Sequence, residues 1–301
     1  MAISNDQLQT WANAPGHTKA QHTYQQIKNA LTASGVSQVR GCEVYLQGSY
    51  ANSTNIRHDS DIDVVIQLNS SFAYGLNRLT DFQKSIFHLE YPTNATFNWS
   101  DLRSDVIAAL VAYFSPSRID TSGNKSIKLI GDISLSNADI VPCLQYRNYN
   151  SFNIGVTNDF IEGMRFWTIR ENTEVINYPK VHKANGENKN AQHRTDEMYK
   201  DTVRVIKHIR RKLIDEHNFD GKKAPSYFIE SAVYNAFDQH FSGNHQSALE
   251  SVLDFLIRRC DASRLVTVSH QHLLFGTEIW QWNKSHASEF LEAVEYYYLT
   301  N

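Results

Sequence analysis

Asp61-Ile62-Asp63 opens the run Ile62-Asp63-Val64-Val65-Ile66-Gln67-Leu68, and Gln47-Gly48-Ser49-Tyr50 stands a short polar stretch before it. No other feature restricts the fold as much. The run is rich in β-branched residues, which predicts a strand buried on both faces. Residues i and i+2 of a strand share a face, so Asp61 and Asp63 stand side by side. Two adjacent carboxylates repel each other, and apolar flanks deepen the cost unless a cation sits between them. A divalent metal removes the conflict, and hard oxygen ligands suit magnesium or manganese. Gly48 lets the backbone approach a ligand closely, and Ser49 with the neighbouring N–H groups can hold phosphate oxygens. A phosphate-gripping turn followed by a metal-binding pair is what transfer of a nucleotidyl group requires. The plain alternative is a surface Gly-Ser turn with two chance aspartates. An isolated Asp-x-Asp is common, and it is the ordered combination that favours the chemistry.

Two metal ions need a third carboxylate. Asp139, in Asn137-Ala138-Asp139-Ile140-Val141-Pro142-Cys143, opens a second apolar strand downstream, where adjacency in the sheet is expected. Asp132 competes, but its Gly-Asp setting reads as a turn. Around these strands the pattern predicts a helix over 7–31, interrupted near Pro15-Gly16, a strand over 42–46, and a polar loop over 48–60. It also predicts a helix over 101–114, stopped by Ser115-Pro116, and a short strand over 126–130. Residues 178–196 are polar and read as a loop, and 160–177 as loops shaping a pocket. Helices are expected over 198–217, 226–241, 247–260 and 289–299. The fold class is therefore α+β, with a strand-rich part over 1–170 and a mainly helical part over 171–301.

Composition narrows the function classes. The formal net charge is −3, which gives no global electrostatic case for nucleic-acid binding. Arg210-Arg211-Lys212, Lys222-Lys223 and Arg258-Arg259 read as scattered solvated charges. Three widely spaced cysteines, Cys42, Cys143 and Cys260, exclude a disulfide framework and a Cys-x-x-Cys zinc ribbon. No apolar run reaches membrane-spanning length, and the first residues lack a secretory pattern, so a reducing cytoplasm is the expected location.

Gly48-Ser49, Asp61-Ile62-Asp63 and Ala138-Asp139-Ile140-Val141-Pro142 together resemble the polymerase-β-type nucleotidyltransferase superfamily. Lys189-Asn190, Tyr199-Lys200-Asp201-Thr202-Val203-Arg204-Val205-Ile206-Lys207 and Pro225-Ser226-Tyr227-Phe228-Ile229-Glu230 narrow the resemblance to the cGAS/DncV-like nucleotidyltransferases (CD-NTases). It covers roughly residues 24–235. The resemblance implies a polymerase-β-like core with a C-terminal helical lobe and an active site in the cleft between them. It implies two Mg2+ (or Mn2+) ions, held by Asp61 and Asp63 together and by Asp139 on the nucleophile's side. It implies that Gln47, Gly48 and Ser49 bind nucleotide, that Lys207 reaches the donor triphosphate, that Ser226 touches phosphate, and that Tyr227 stacks on the donor base. The implied reaction joins nucleoside triphosphates such as ATP or GTP into a cyclic di- or trinucleotide with release of pyrophosphate. The implied setting is antiphage (CBASS) signalling, with a downstream effector that the product activates.

Read for its own physics, the helix over 198–217 carries an apolar stripe and a basic one. Tyr199, Val203, Ile206, Ile209 or Arg210, and Leu213 make the first; Lys200, Arg204, Lys207 and Arg211 make the second. Such a basic stripe is ordinarily a solvated face. Ser226 opens the next helix, where a serine is either a plain N-cap or part of an anion site. His182, His193, His208 and His217 cluster in sequence, and structural or surface roles are expected for them ahead of a zinc site. No DNA or RNA requirement and no membrane attachment are expected, and a monomer suffices. The alternatives are a nucleotidyltransferase that makes a linear oligonucleotide or modifies another substrate, and a catalytically silent nucleotide sensor.

Overall fold

The computed structural model describes residues 2–56, 61–93, 95–156, 159–278 and 280–301. Contacts divide the chain into two units, His17–Gly48 with Asp59–Val181, and Met1–Gly16 with Ser49–His58 and His182–Asn301. The sequence places one break near Arg170 and keeps the N-terminal helix with the strands. The contacts break the chain at Val181 and group residues 2–16 and 49–56 with the helical unit.

The first unit is built on a seven-stranded sheet. Its strands are β1 (Glu43–Gln47), β2 (Ile62–Gly75), β3 (Ile119–Asp120), β4 (Ile127–Leu129), β5 (Ala138–Tyr149), β6 (Phe160–Trp167) and β7 (Glu174–Asn177). Their order is β1-β2-β5-β4-β3, with β6 pairing both β5 and β7. β2 and β5 run parallel at the centre, and the other pairs are antiparallel. Val64, Val65 and Ile66 are fully buried, so the β-branched run is covered on both faces as expected. The helices Thr18–Thr32 and Trp99–Phe114 pack on one another and bury Ile27, Leu31, Leu102, Val106 and Leu110. Asn98 caps the second of these and Asp101 bonds back to the Asn98 N–H, which sets where it starts.

The second unit is helical. Helices Asn5–Ala12, Met198–His217, Ser226–Tyr234, His245–Asp254 and Lys284–Thr300 share one core that includes Leu8, Val203, Ile206, Leu213, Val233, Leu249, Val252, Phe290 and Val294. On Met198–His217 it is Ile209, fully buried, that completes the apolar stripe; Arg210 turns its guanidinium to the Gly221 carbonyl. Among the described residues no helix is long and apolar enough to cross a membrane.

Several expectations are corrected. The polar stretch 178–196 is not a loop but the helices Pro179–Lys189 and Gln192–Thr195. Its inward positions are His182, Gly186 and Lys189, so no hydrophobic period marks it. Residues 160–177 are not loops but contain β6 and β7, whose alternation is masked by half-buried residues such as Glu162 and Arg165. Part of the expected loop 48–60 is the short helix Gly48–Asn52, while Arg57, His58, Asp59 and Ser60 lie outside the described residues. The helix Asp81–Glu90, opened by a Thr80/Gln83 capping box, is an element the sequence reading missed.

Candidate active site

Four strands place one residue each in a row. Gln47 of β1 pairs with Asp63 of β2, Asp63 with Asp139 of β5, and Asp139 with Lys128 of β4. Directly paired residues project to the same face, so two carboxylates are flanked by an amide and an ammonium. Asp61 stands two residues before Asp63 and shares that face. The expected adjacency of Asp139 to the Asp61/Asp63 pair is thus a direct register match.

The carboxylates differ in their surroundings. Burial first, then the neighbouring Asp139 and Asp61, push the Asp63 carboxyl up to about 6. Asp61 is part-exposed; its Oδ2 accepts from Lys128 Nζ at 2.9 Å and its Oδ1 from Asn137 Nδ2 at 3.0 Å. Asp139 Oδ1 accepts from Ser126 Oγ at 3.0 Å. Three acidic oxygen donors gathered on one face, one of them held back from ionising by burial and then by the other two, form a donor set that suits a hard divalent cation. In this arrangement they do not close into a ready cage: among the described residues no three acidic, histidine or cysteine side chains are gathered around one point. A metal would share Asp61 with Lys128 and Asn137, and Asp139 with Ser126. Asp132, the rejected competitor, accepts from the Ser134 and Leu135 N–H groups and is a turn residue.

Gly48 is fixed by Asp63. Its φ is +64°, and a Cβ there would lie 2.4 Å from Asp63 Oδ2. The glycine is therefore needed both for its backbone conformation and for the space the carboxylate fills. Ser49 follows in the helix Gly48–Asn52, and its carbonyl accepts from the Thr54 N–H at 2.9 Å.

In the helical unit, Lys207 is buried, and Nζ donates to Thr54 O and Thr54 Oγ1 at 3.1 Å each and to Glu230 Oε1 at 2.5 Å. An ammonium has three N–H donors, and all three are engaged inside the protein. Lys207 is thus not the open cation that the sequence suggests. Burial alone would push the Glu230 carboxyl up; Lys207 and His182 outweigh it and hold it well below the ordinary carboxylate range. Ser226 is the first residue of its helix rather than the N-cap, which is Pro225, and no side chain caps that end. Tyr227 is 41% exposed, its ring lies 5.4 Å from that of His182, and burial pushes its phenol pKa up.

The remaining motif residues are structural. Lys189 is buried and donates to the Ala236 carbonyl and to Asp238, both at 2.6 Å, while Asn190 Oδ1 accepts from the Lys200 N–H at the start of Met198–His217. His208 stacks on Trp11, His217 meets Tyr297 edge-on, His182 is bonded to Glu230, and His193 is exposed, so the four do not converge. Sequence reasoning missed Lys128, Thr54 and Glu230. Only Glu230 left a signal: an acid inside the apolar run Phe228-Ile229-Glu230-Ser231-Ala232-Val233 implies a buried partner.

The chain matches two family models, the nucleotidyltransferase domain over residues 33–223 and the cGAS/DncV-like nucleotidyltransferase C-terminal helical domain over residues 184–299. It is 40% identical over 295 residues to the cyclic UMP-AMP synthase of Rhodothermus marinus, spanning 98% of this chain and 97% of that one. It is 34% identical to the cyclic nucleotide synthase CdnE01 of Staphylococcus haemolyticus, spanning 97% of each. The solved CdnE c-UMP-AMP synthase of Rhodothermus marinus with Apcpp and Upnpp superposes with a TM-score of 0.86 at 39% identity, over 97% of this chain and 95% of that one. Nucleotidyltransferases of this kind work with divalent metal ions and take nucleoside triphosphates. With its carboxylate row on a mixed sheet and its helical C-terminal domain, the chain belongs to the cGAS/DncV-like nucleotidyltransferases.

Proposed function

We propose that this chain is a metal-dependent synthase that joins nucleoside triphosphates into a cyclic di- or trinucleotide, releasing pyrophosphate, as a second messenger in bacterial antiphage (CBASS) signalling. The observation that carries the reading is the Asp63–Asp139 register pair, with Asp61 on the same face and Gly48 shaped around Asp63. Two Mg2+ or Mn2+ ions would be held by Asp61, Asp63 and Asp139, and when bound they make a ribose hydroxyl a better nucleophile and offset the charge on the leaving pyrophosphate. The residues' own part is to bind and orient. Gln47, Gly48 and Ser49 would hold donor phosphate, Ser226 would add a hydroxyl contact, and the exposed ring of Tyr227 would stack on the donor base without choosing it. The resemblance also assigns Lys207 to the triphosphate, a role that would need one of its internal bonds exchanged for a phosphate oxygen. The attacking ribose oxygen forms a bond to the α-phosphorus as the bond to the bridging oxygen breaks. A second such step within the linear intermediate closes the ring.

The division into a nucleotidyltransferase core and a helical lobe, a cytoplasmic location, a monomeric state and activation of a downstream effector by the product belong to the same reading. No DNA or RNA is needed for activity, in keeping with the net charge of −3. Pyrophosphate release from the four nucleoside triphosphates tests the enzyme reading against a silent sensor. It is expected with Mg2+ or Mn2+ and should vanish with chelator and in the Asp61→Ala/Asp63→Ala variant. Nucleotide binding without release under either metal would overturn it.

A further inference from the structure

Three consecutive residues just beyond Ser49 are gripped by charged side chains buried in the helical unit. Glu230 accepts from Asn52 Nδ2 at 3.1 Å and from Thr54 Oγ1 at 2.6 Å. Arg204 donates to the Ser53 carbonyl, and Lys207 donates to the Thr54 carbonyl and hydroxyl. Ser53 itself sits at φ +55°, a left-handed conformation that a serine holds only when its surroundings impose it. The grip is anchored from behind. His182 Nε2 lies 3.0 Å from Glu230, and Arg204 also reaches the Ala12 carbonyl and Asp201. Glu230 is the hub: one fully enclosed carboxylate with four partners, which ties Lys207 and the turn at 52–54 together.

We infer that Glu230 is a positioning residue of nucleotidyl transfer: it touches no substrate, but by fixing the turn at Asn52–Thr54 it sets the orientation of Ser49 for donor phosphate. This rests on the proposed role of Ser49. A carboxylate that served stability alone would need no link to the turn that follows Ser49. The Lys189–Asp238 pair is such a case, since Asp238 holds Lys189 and Arg194 rather than that turn.

The test compares buried Glu230 with half-exposed Asp238. Affinity for a non-hydrolysable nucleoside triphosphate analogue is measured with Mg2+, well below each variant's Tm, alongside KM and kcat for pyrophosphate release. Glu230→Gln is expected to weaken analogue binding and raise KM at least tenfold. Asn52→Ala and Thr54→Val, which each remove one contact of the hub and keep the chain folded should Glu230→Gln fail to fold, are expected to weaken binding several-fold with little change in Tm. Asp238→Asn is expected to lower Tm and leave analogue affinity at the wild-type value. Wild-type affinity in Asn52→Ala and Thr54→Val, or a loss in Asp238→Asn as large as theirs, would overturn the inference. A wild-type protein that binds no nucleoside triphosphate would instead sink the functional reading and this role with it.

Discussion

At the scale of single residues, the site turns on one close approach. Asp63 Oδ2 occupies the space that a side chain at position 48 would fill. Gly48→Ala is therefore expected to displace the carboxylate by about an ångström and to cut the rate about a hundredfold. An unchanged kcat/KM would show that Asp63 is not held where the account needs it. Asp63 also makes stability depend on pH. Its folded pKa of about 6 lies above that of a free aspartate near 4, so its contribution is full below about pH 4 and is lost as the pH rises through 6. In chelator, the Tm of the wild-type protein should fall between about pH 4 and 6.5, and Asp63→Asn should remove that part of the fall. Adding Mg2+ at the upper pH should stabilise the wild type and not the variant. Parallel pH–Tm curves for the two proteins would contradict this. Of these residues, Asp61, Asp63 and Asp139 were legible because like charges beside apolar strands are an anomaly that asks for a cation. Lys128 was not, because one lysine in a short strand is unremarkable until the register sets it beside Asp139.

At the scale of elements, legibility followed the nature of the buried face. Met198–His217 is read to the residue because its apolar stripe repeats at the helical period. Pro179–Lys189 is invisible because it buries a histidine, a glycine and a lysine whose partners, Glu230, Ala236 and Asp238, are far away in sequence. Paired polar groups inside a protein leave no hydrophobic pattern. The Lys207–Glu230 pair shows what such an interior costs when broken. Lys207→Met should destabilise the fold by about 3–5 kcal/mol, because it takes the lysine cation from a buried carboxylate. Glu230 acts in the opposite pH direction from Asp63. Its folded pKa is depressed, so its contribution is present above the unfolded value and is lost on acidification. A Lys207→Met Tm equal to wild type would mean that Asn52, Thr54 and His182 suffice to hold the carboxylate. By contrast, Asn98→Ala removes only a surface cap and should cost about 1 kcal/mol, read from chemical denaturation, with nucleotide KM unchanged.

At the scale of the whole molecule, chain order and spatial grouping part company. Residues 49–56 are flanked in sequence by the sheet unit yet belong by contact to the helical one, and so does the N-terminal helix. Local pattern cannot anticipate this, since the grip on Asn52–Thr54 comes from residues more than a hundred positions away. The family and the reaction class were legible because they rest on a few residues with strict spacing. The antiphage setting and ring closure rest on the family alone. Double-stranded DNA or RNA added to the assay is expected to leave the rate unchanged, and a large stimulation by either would contradict the charge argument. The most direct test of the central claim is mass spectrometry of the product made from all four nucleoside triphosphates with Mg2+ or Mn2+, after treatment with phosphatase and exonuclease. A resistant cyclic di- or trinucleotide mass is expected, absent from the Asp61→Ala/Asp63→Ala variant; products that the enzymes digest completely would contradict ring closure and assign the chain to the linear nucleotidyltransferases.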